Sequence, residues 1–343
     1  MTLDNLYSLA QSYVNTAGTP LVVLGSGSSI AHGLPSMGEL ADEFKKMTFS
    51  DHEDQKCFGE FLTKIETSDL ESTLLQLTIT DKVLAKIRET TWSVVNERDL
   101  KFFAEEVLFQ SEMPLARLFG YLANSSIKTV NVVTTNYDRL AEYAANSVKL
   151  HPYTFFNSGY FGSFIGKQDD CYTKAKGCVG VVNVCKLHGS LDWFRIGSSV
   201  TEFKSIPFQT TIPSNGEASI ITPGSKKFQM ALQSPFRELF TISDQLINDA
   251  ASYLCIGYGF NDEHVHPLVL ENIRQRKKPL VVISKVLTDK ARAILNTGYV
   301  DKVLMVEDNG AGGARVFTSS EKAGLDFDKP FWQLTEFLKI FNS

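Results

Sequence analysis

The 343-residue sequence carries 34 basic and 39 acidic residues, a net charge of −5, and 43% of its residues are hydrophobic. This length fits two domains or one large α/β domain with an insertion, and the composition is that of an ordinary globular protein. The acidic balance disfavours direct binding of nucleic acid, because proteins that neutralise phosphates usually carry a basic face. No apolar run approaches the roughly 20 residues that span a bilayer, so no membrane association is expected.

The cysteines disfavour a structural metal site. They stand at positions 57, 171, 178, 185 and 255, and no two of them form a CxxC pair. The usual ligand spacing of structural zinc is therefore missing, and we expect no zinc. Free cysteines in this number fit a reducing compartment, and the expected location is the cytoplasm.

The first predicted strand leads directly into a glycine turn. Residues 2–16 have the spacing of an amphipathic helix, and Pro20–Leu24 is a short apolar strand. The motif Gly25–Ser29 (GSGSS) follows at once. A strand that enters Gly-x-Gly often begins a nucleotide-binding unit, because glycine lets the backbone approach phosphates closely. Alone, this motif is a weak signal.

A loop and a long helical segment separate this strand from the next. Gly33 and Pro35 predict a loop, and Ser36 with Glu39 forms a capping box that predicts a helix start. Residues 50–125 have mostly helical patterns and are too many for one crossover connection. We expect a helical insertion that covers the strand ends and offers a surface for oligomer formation.

The stretch Val130–Asp138 (VNVVTTNYD) joins a buried strand to a polar cluster. Its valines predict a parallel strand, and an amphipathic helix follows the polar residues. Ligands bind at this end of the strands in open α/β sheets. Alternatively, Asn136 or Asp138 only caps the following helix. This stretch alone does not decide between the two.

Two later strands repeat the arrangement. The apolar strand Val179–Leu187 leads into His188–Trp193 (HGSLDW), and Ser252–Ile256 leads into a second glycine turn, Gly257–Asp262 (GYGFND). A helix is predicted at 263–274.

The remaining segments connect or extend these units. Residues 155–180 are expected to form a long loop of the kind that often serves as a lid, and residues 195–219 a hairpin or a loop. Further strands are predicted at 219–222, 280–283 and 303–306. Ser234 as N-cap and Pro235 at the first position predict a helix to about Asp249. Residues 329–341 predict a final helix for the core or an interface.

Together these elements predict an α/β fold: a Rossmann-like, doubly wound, mostly parallel sheet with a helical insertion between the first two strands. Six or seven strands are expected. We expect residues 1–343 to form a single domain, with its core at 20–49 and 126–308. The insertion would occupy 50–125, and residues 309–343 would hold the C-terminal helix. The four polar strand ends would then face one crevice.

As a set, the motifs resemble a known family. GSGSS with the following GLP, then TTNYD, KLHGS and GYGFND, resemble the sirtuin-like NAD-binding family, in which TTNYD corresponds to the T-Q-N-x-D signature. The pattern is most similar to prokaryotic sirtuin-like effectors of antiphage defence, in particular the sirtuin-like subunit of HerA/sirtuin systems. The resemblance covers about residues 20–290. Neither a P-loop nor a G-x-S-x-G elbow is present.

The resemblance implies an NAD⁺ glycohydrolase that releases nicotinamide and ADP-ribose and acts by depleting NAD⁺. The implied catalytic residues are Asn136, which would orient a water or the ribose, and His188, which would act as general base. The implied NAD-binding residues are Gly25, Ser26, Gly27, Ser29, Pro35, Thr135, Asp138, Gly257, Gly259 and Asn261. The implied partners are further copies of the chain and a HerA-type hexameric ATPase.

Two departures from the family pattern concern the substrate. The four-cysteine zinc module of protein-deacylating sirtuins is missing, and 36–38 read Ser-Met-Gly where that family has Asp-Phe-Arg. Both differences favour water over acyl-lysine as the acceptor. The alternatives are a subunit that senses NAD or ADP-ribose without turnover, an NAD-dependent protein deacylase, and a structural role for His188.

Overall fold

Short buried strands alternate with helices along the chain. The computed structural model describes residues 1–16, 18–65, 77, 79–109, 111–124, 128–157, 159–166, 177–197, 202–222, 232–297 and 300–341. In these ranges the strands are β1 (Leu21–Leu24), β2 (Thr129–Thr134), β3 (Leu150–Tyr153), β4 (Gly162–Ser163), β5 (Gly180–Lys186), β6 (Gly189–Ile196), β7 (Phe203–Ser205), β8 (Gly216–Ile220), β9 (Tyr253–Ile256), β10 (Leu280–Ile283), β11 (Val303–Asp308), β12 (Ala314–Thr318) and β13 (Leu325–Phe327).

The helices of the same ranges lie mostly between these strands. They are α1 (Leu3–Val14), α2 (Gly27–Ile30), α3 (Met37–Phe44), α4 (His52–Ile65), α5 (Asp81–Phe102), α6 (Pro114–Ala123), α7 (Leu140–Ser147), α8 (Phe236–Asp249), α9 (Val265–Gln275), α10 (Asp289–Asn296) and α11 (Leu334–Phe337). A π-helical turn (Phe103–Val107) extends α5, and a 3₁₀ turn (Leu338–Phe341) extends α11.

Nine of the described strands form one sheet, in the order β13-β12-β11-β10-β9-β1-β2-β5-β3. The seven from β11 to β3 are parallel. The chain passes from β1 to β2 on one side and later returns to β9 on the other side of β1. The strand order therefore reverses between β1 and β9. The predicted doubly wound, mostly parallel α/β sheet is confirmed.

Each face of the sheet is covered by its own hydrophobic core. Val22 and Leu24 of β1 belong to one core, and Leu21 and Val23 belong to the other. Helices α1, α3 to α7 and α11 contribute to the first core, and α8, α9 and α10 contribute to the second. Because side chains alternate along a strand, burial on both faces requires continuous apolar runs such as LVVL.

The helices predicted between the first two strands are present. The longest is α5, whose Thr80 N-cap accepts a hydrogen bond from Val83 N. Its buried Trp92 donates Nε1–H to the carbonyl oxygen of Leu191 on β6, at 2.9 Å. The insertion therefore packs on a second sheet as well as on the core.

That second sheet was missed by sequence reasoning. Strands β4, β7, β6 and β8 form an antiparallel sheet in this order, where residues 195–219 predicted only a hairpin or a loop. β6 begins three residues after the last residue of β5, and His188 lies in the turn between them. The polar residues of HGSLDW predict a strand end, but the alternation of polar and apolar residues from Ser190 to Trp193 also fits an antiparallel strand.

The prediction of a C-terminal helix over 329–341 is wrong in length, and the 309–343 segment is not mainly helical. α11 has four residues, and the 3₁₀ turn follows it. Upstream, β12 and β13 extend the sheet as antiparallel strands. The apolar spacing arises because Phe331, Phe337 and Ile340 are buried in the first core. Irregular backbone buries these side chains here as well as a helix would.

Two predicted helix starts had different outcomes. The capping box is confirmed, since Ser36 Oγ accepts from Glu39 N and the Glu39 carboxylate accepts from Ser36 N. Ser234 does not cap the later helix: α8 begins at Phe236, and Pro235 occupies the N-cap without a side-chain bond. Among the described helices, none combines the length and apolarity needed to cross a bilayer.

Candidate active site

The carboxyl ends of four neighbouring strands lie level. Leu24 ends β1 and pairs with Thr134 of β2 and with Ile256 of β9. Thr134 in turn pairs with Lys186 at the end of β5. The four loops that follow these strands, which carry the four polar motifs, therefore begin side by side at one edge of the sheet. The β1–β9 pair within this edge is the point where the strand order reverses, and ligands bind there in open α/β sheets.

The Asn136 amide is fixed against the loop after β1. Its Nδ2 donates to the carbonyl oxygen of Gly25 at 2.9 Å and to Ser29 Oγ at 3.0 Å. Both N–H groups of the amide are used in this way, and no residue in the described ranges donates to Oδ1. Asn136 therefore does not cap the following helix. Its orientation is set, and an acceptor oxygen remains.

Asp138 is hydrogen-bonded to the start of this helix, one residue before its N-cap, Arg139. Its Oδ1 accepts from Leu140 N at 3.1 Å, and its Oδ2 accepts from Ser29 Oγ at 2.7 Å. Burial raises the pKa of the Asp138 carboxyl above its ordinary value, and the positive charge of Lys186 opposes that rise. The Asp138 side chain thus joins the start of α7 to the loop after β1.

Lys186 is a buried cation that sequence reasoning did not select. The last residue of β5, it has no exposed surface, and its Nζ donates to the carbonyl oxygen of Asp138 and, at 2.8 Å, to Glu142 Oε1. Burial raises the pKa of the Glu142 carboxyl, and the Lys186 charge opposes this. A lysine within the apolar run VVNVCKL was the available signal, because buried lysines are almost always paired.

A buried arginine attaches the helical insertion to the loop after β2. Arg139 is 2% exposed, and it pairs with Asp99 of α5 and with Asp192 of β6, at 2.6 Å in each case. Asp99 also accepts from the Arg139 backbone N–H at 2.8 Å and from the Tyr143 hydroxyl at 2.6 Å. Arg139 thereby holds together the helix α5, the strand β6 and the loop after β2.

The two glycine motifs contact each other through their backbones. A Cβ on Gly257 would lie 2.2 Å from Ser28 N, and a Cβ on Gly25 would lie 2.4 Å from the carbonyl oxygen of Gly257. Gly27 N donates to that same oxygen at 3.0 Å. The glycines are therefore required because the loop after β9 packs directly against the backbone of the loop after β1. Ser26 between the two glycines is exposed.

His188 pairs with an acid from the far side of the site. Its Nε2 lies 3.1 Å from Asp262 Oδ2, and the side chains are 13% and 5% exposed. Asp262 Oδ1 accepts from His264 N and Val265 N at the start of α9. Sequence reasoning included Asp262 in GYGFND but did not select it, since the partner histidine is 74 residues away.

Residues 130–297 match the family model of the SIR2-like domain. The matched segment contains TTNYD, HGSLDW and GYGFND, and begins after GSGSS.

Structures of Sir2 proteins are among the solved structures to which this chain is similar. One is a mutant Sir2 homologue with ADP-ribose, at 16% identity over 88% of this chain and 90% of that chain, with a TM-score of 0.47. Another is a Sir2 homologue–NAD complex, at 15% identity over 84% and 85%, with a TM-score of 0.42. No curated protein matches the sequence.

The other residues predicted to contact the ligand do not take part in the side-chain hydrogen bonds described above. In the SIR2-like segment, Thr135 is half-buried and Asn261 is exposed. Gly259 accepts a 2.6 Å hydrogen bond from Thr288 Oγ1 through its carbonyl oxygen. Upstream of the segment, Pro35 is half-buried next to the capping box. Their contacts with a ligand stay predictions.

The described residues contain no group of three or more His, Cys, Asp or Glu side chains suited to a metal ion. Cys171 lies outside the described ranges. Cys185 and Cys255 are buried, and burial raises the pKa of both thiols. These two cysteines of the SIR2-like segment are core residues, as the sequence predicts for Cys255.

Proposed function

We propose that this protein is an NAD⁺ glycohydrolase that releases nicotinamide and ADP-ribose. The observation that carries the proposal is that a fixed amide, Asn136, and a carboxylate-paired imidazole, His188, follow neighbouring strands whose ends are level. The SIR2-like match over 130–297 supports the same substrate class.

The reaction needs little more than these groups. Breaking the bond between nicotinamide and ribose develops positive charge at the ribose, and water adds to that carbon. Asn136 Oδ1 would accept a hydrogen bond from the water or from a ribose hydroxyl, and His188 would remove a proton. Positioning and general base catalysis together contribute substantial acceleration, with the base alone giving about 10²–10⁴-fold.

The remaining predicted contacts divide between the two halves of NAD⁺. The exposed Ser26 would bind the pyrophosphate together with Gly25 and Gly27. Ser29 would not contact NAD⁺ and would instead hold Asn136 and Asp138 in place by hydrogen bonds. Pro35 and Thr135 would border the nicotinamide side. Gly257, Gly259 and Asn261 would border the adenosine side.

The resemblance also supports a biological role and a partner. We propose that the enzyme acts in the cytoplasm as an oligomer, beside a HerA-type hexameric ATPase, and limits phage growth by depleting NAD⁺. In cells that carry both genes, infection should lower total NAD⁺ before lysis, and catalytic variants should abolish that fall.

The direct test is to incubate the purified chain with NAD⁺, alone and with the ATPase, and to measure nicotinamide by liquid chromatography. Release in either condition supports the proposal, and absence of release in both refutes it. Tight binding of NAD⁺ without release would instead favour the sensing alternative. Loss of acetyl from an acetyl-lysine peptide with matching consumption of NAD⁺ would favour the deacylase.

A further inference from the structure

The His188–Asp262 pair joins two loops that do not follow neighbouring strands. His188 follows β5 and Asp262 follows β9, and in the sheet β2 and β1 lie between these strands. The pair therefore bridges the loops on either side of those carrying Asn136 and Ser29. Both side chains are largely buried, at 13% and 5% exposure, so water competes little for the hydrogen bond between them.

The carboxylate is held in place by its own loop. Asp262 Oδ1 accepts from His264 N at 3.0 Å and from Val265 N at 2.9 Å, and Oδ2 lies 3.1 Å from His188 Nε2. Two residues earlier, Phe260 adopts a left-handed backbone conformation, with φ of 58°. A bulky residue in that conformation is strained and persists only where the surroundings impose it. The loop thus has little freedom to withdraw the acid.

The backbone of the histidine is equally constrained. The His188 carbonyl oxygen accepts from Ile221 N at 2.8 Å, and the preceding Leu187 N donates to Thr134 O at 2.9 Å. Both members of the His188–Asp262 pair are therefore positioned by backbone hydrogen bonds as well as by each other.

The contact decides which ring nitrogen can act as a base. A carboxylate only accepts hydrogen bonds, so Nε2 of the neutral imidazole must carry the proton. Nδ1 then holds the lone pair, and no hydrogen bond joins Nδ1 to another residue of the described ranges. A general base needs such a lone pair within reach of the proton it removes.

We propose that Asp262 is the positioning residue that keeps His188 protonated at Nε2 and leaves Nδ1 as the base; this rests on the proposed glycohydrolase function. In the reaction, the proton leaving the water moves to Nδ1, and its electron pair forms the new oxygen–carbon bond. The pair of the broken carbon–nitrogen bond leaves with nicotinamide. Asp262 stays ionised and stabilises the imidazolium.

Asp262→Asn is the discriminating variant. The Asn Oδ1 keeps the two hydrogen bonds from His264 N and Val265 N at the start of α9, while its Nδ2 presents a donor to His188. A donor at that place forces Nε2 to accept and moves the proton of the imidazole to Nδ1. The fold should be retained, and the base should be lost.

Asp51→Asn is a matched control. Asp51 Oδ1 accepts from Glu53 N and Asp54 N at the start of α4, the same spacing of partners that Asp262 has at α9. Asp51 is exposed, and no histidine is hydrogen-bonded to its carboxylate in the described structure. The control therefore removes a capping charge without touching His188.

Two measurements test the proposal. With the wild-type enzyme active, Asp262→Asn should lower kcat by about 10²–10⁴-fold and leave KM within about threefold, whereas Asp51→Asn should leave both within about twofold of wild type. Long-range ¹H–¹⁵N spectra of histidine-labelled protein, assigned with His188→Gln, should show His188 protonated at Nε2 in wild type and at Nδ1 in Asp262→Asn.

The two arms separate the possible failures. An unchanged tautomer of His188, or a kcat of Asp262→Asn within about threefold of wild type, overturns the positioning role. If the wild-type enzyme releases no nicotinamide, the proposed function fails, and the tautomer alone decides whether Asp262 sets the imidazole.

Discussion

The Ser29 hydroxyl donates a 2.7 Å hydrogen bond to Oδ2 of Asp138 and so joins the loop after β1 to the loop after β2. Both residues are buried. The same hydroxyl accepts from the Asn136 amide at 3.0 Å. Ser29 belongs to a motif that suggests phosphate binding, but its hydroxyl orients the side chains of Asn136 and Asp138.

Replacing Ser29 should destabilise the fold as well as the site. Ser29→Ala leaves a buried carboxylate oxygen of Asp138 without its donor, so the free energy of unfolding should fall by about 1–3 kcal/mol. Urea unfolding measures this. Ser12→Ala removes a hydroxyl that bonds only to Leu9 O on an exposed helix face, and should change stability by less than about 0.5 kcal/mol. Equal effects would show that the Ser29 contact does not matter.

Asn136 and His188 should be required for turnover. Asn136→Ala and His188→Ala should each lower kcat by roughly 10²–10⁴-fold, because one removes the orienting amide and the other the base. Nicotinamide release measures the loss, and thermal unfolding verifies that the fold remains. His52→Ala, at an exposed position on α4, is the matched control and should retain wild-type rates. Wild-type turnover in both site variants would place the catalytic groups elsewhere.

The contact between the glycine loops gives a third prediction. Gly257→Ala places a methyl group 2.2 Å from Ser28 N at a φ of 57°. Gly310→Ala has a similar φ of 72° but meets nothing within 4 Å. The control should lose only about 1–2 kcal/mol for the left-handed backbone, and Gly257→Ala should lose a further 1–3 kcal/mol or so for the overlap. Chemical unfolding of the two variants provides the difference, and equal losses would argue against tight packing of the loops.

Asp138 should make the protein less stable as the pH rises. Burial raises its folded-state pKa above the ordinary value of 3.8, so between the two values the folded carboxyl binds more protons than the unfolded one. The stabilisation is complete below the ordinary pKa and is lost as the pH rises through the raised pKa. Asp138→Asn should remove this decline, by at most about 1.4 kcal/mol per pH unit.

Unfolding free energies of wild type and Asp138→Asn, measured from acid to neutral pH, test that sign. The comparison variant is Asp326→Asn. Its exposed carboxyl is hydrogen-bonded to Arg315, which lowers the pKa of Asp326. Its stabilisation should be complete above 3.8, the ordinary pKa of Asp326, and should be lost as the pH falls below that value, which is the opposite sign to the change expected for Asp138. Parallel curves for wild type and Asp138→Asn would contradict the burial argument.

Sequence patterns predicted the site best where the physical cause is local. A strand buried on both faces needs continuous apolar residues, so LVVL and VNVV located β1 and β2. The Ser36–Glu39 capping box is equally local, because all its partners lie within four residues. The segment HGSLDW was ambiguous because its polar residues fit the end of β5, while the alternation of polar and apolar residues within it also fits the start of a new antiparallel strand.

By itself, the sequence determined the α/β class and showed which four strands are followed by polar motifs. It also determined which residues stand in those motifs. Only the tertiary structure decided what those residues contact. Gly257 meets Ser28, and Asp262 meets His188, across 229 and 74 residues of sequence respectively. Such pairs depend on which strands are neighbours and on how their ends align. These are global properties of the sheet that no local pattern encodes.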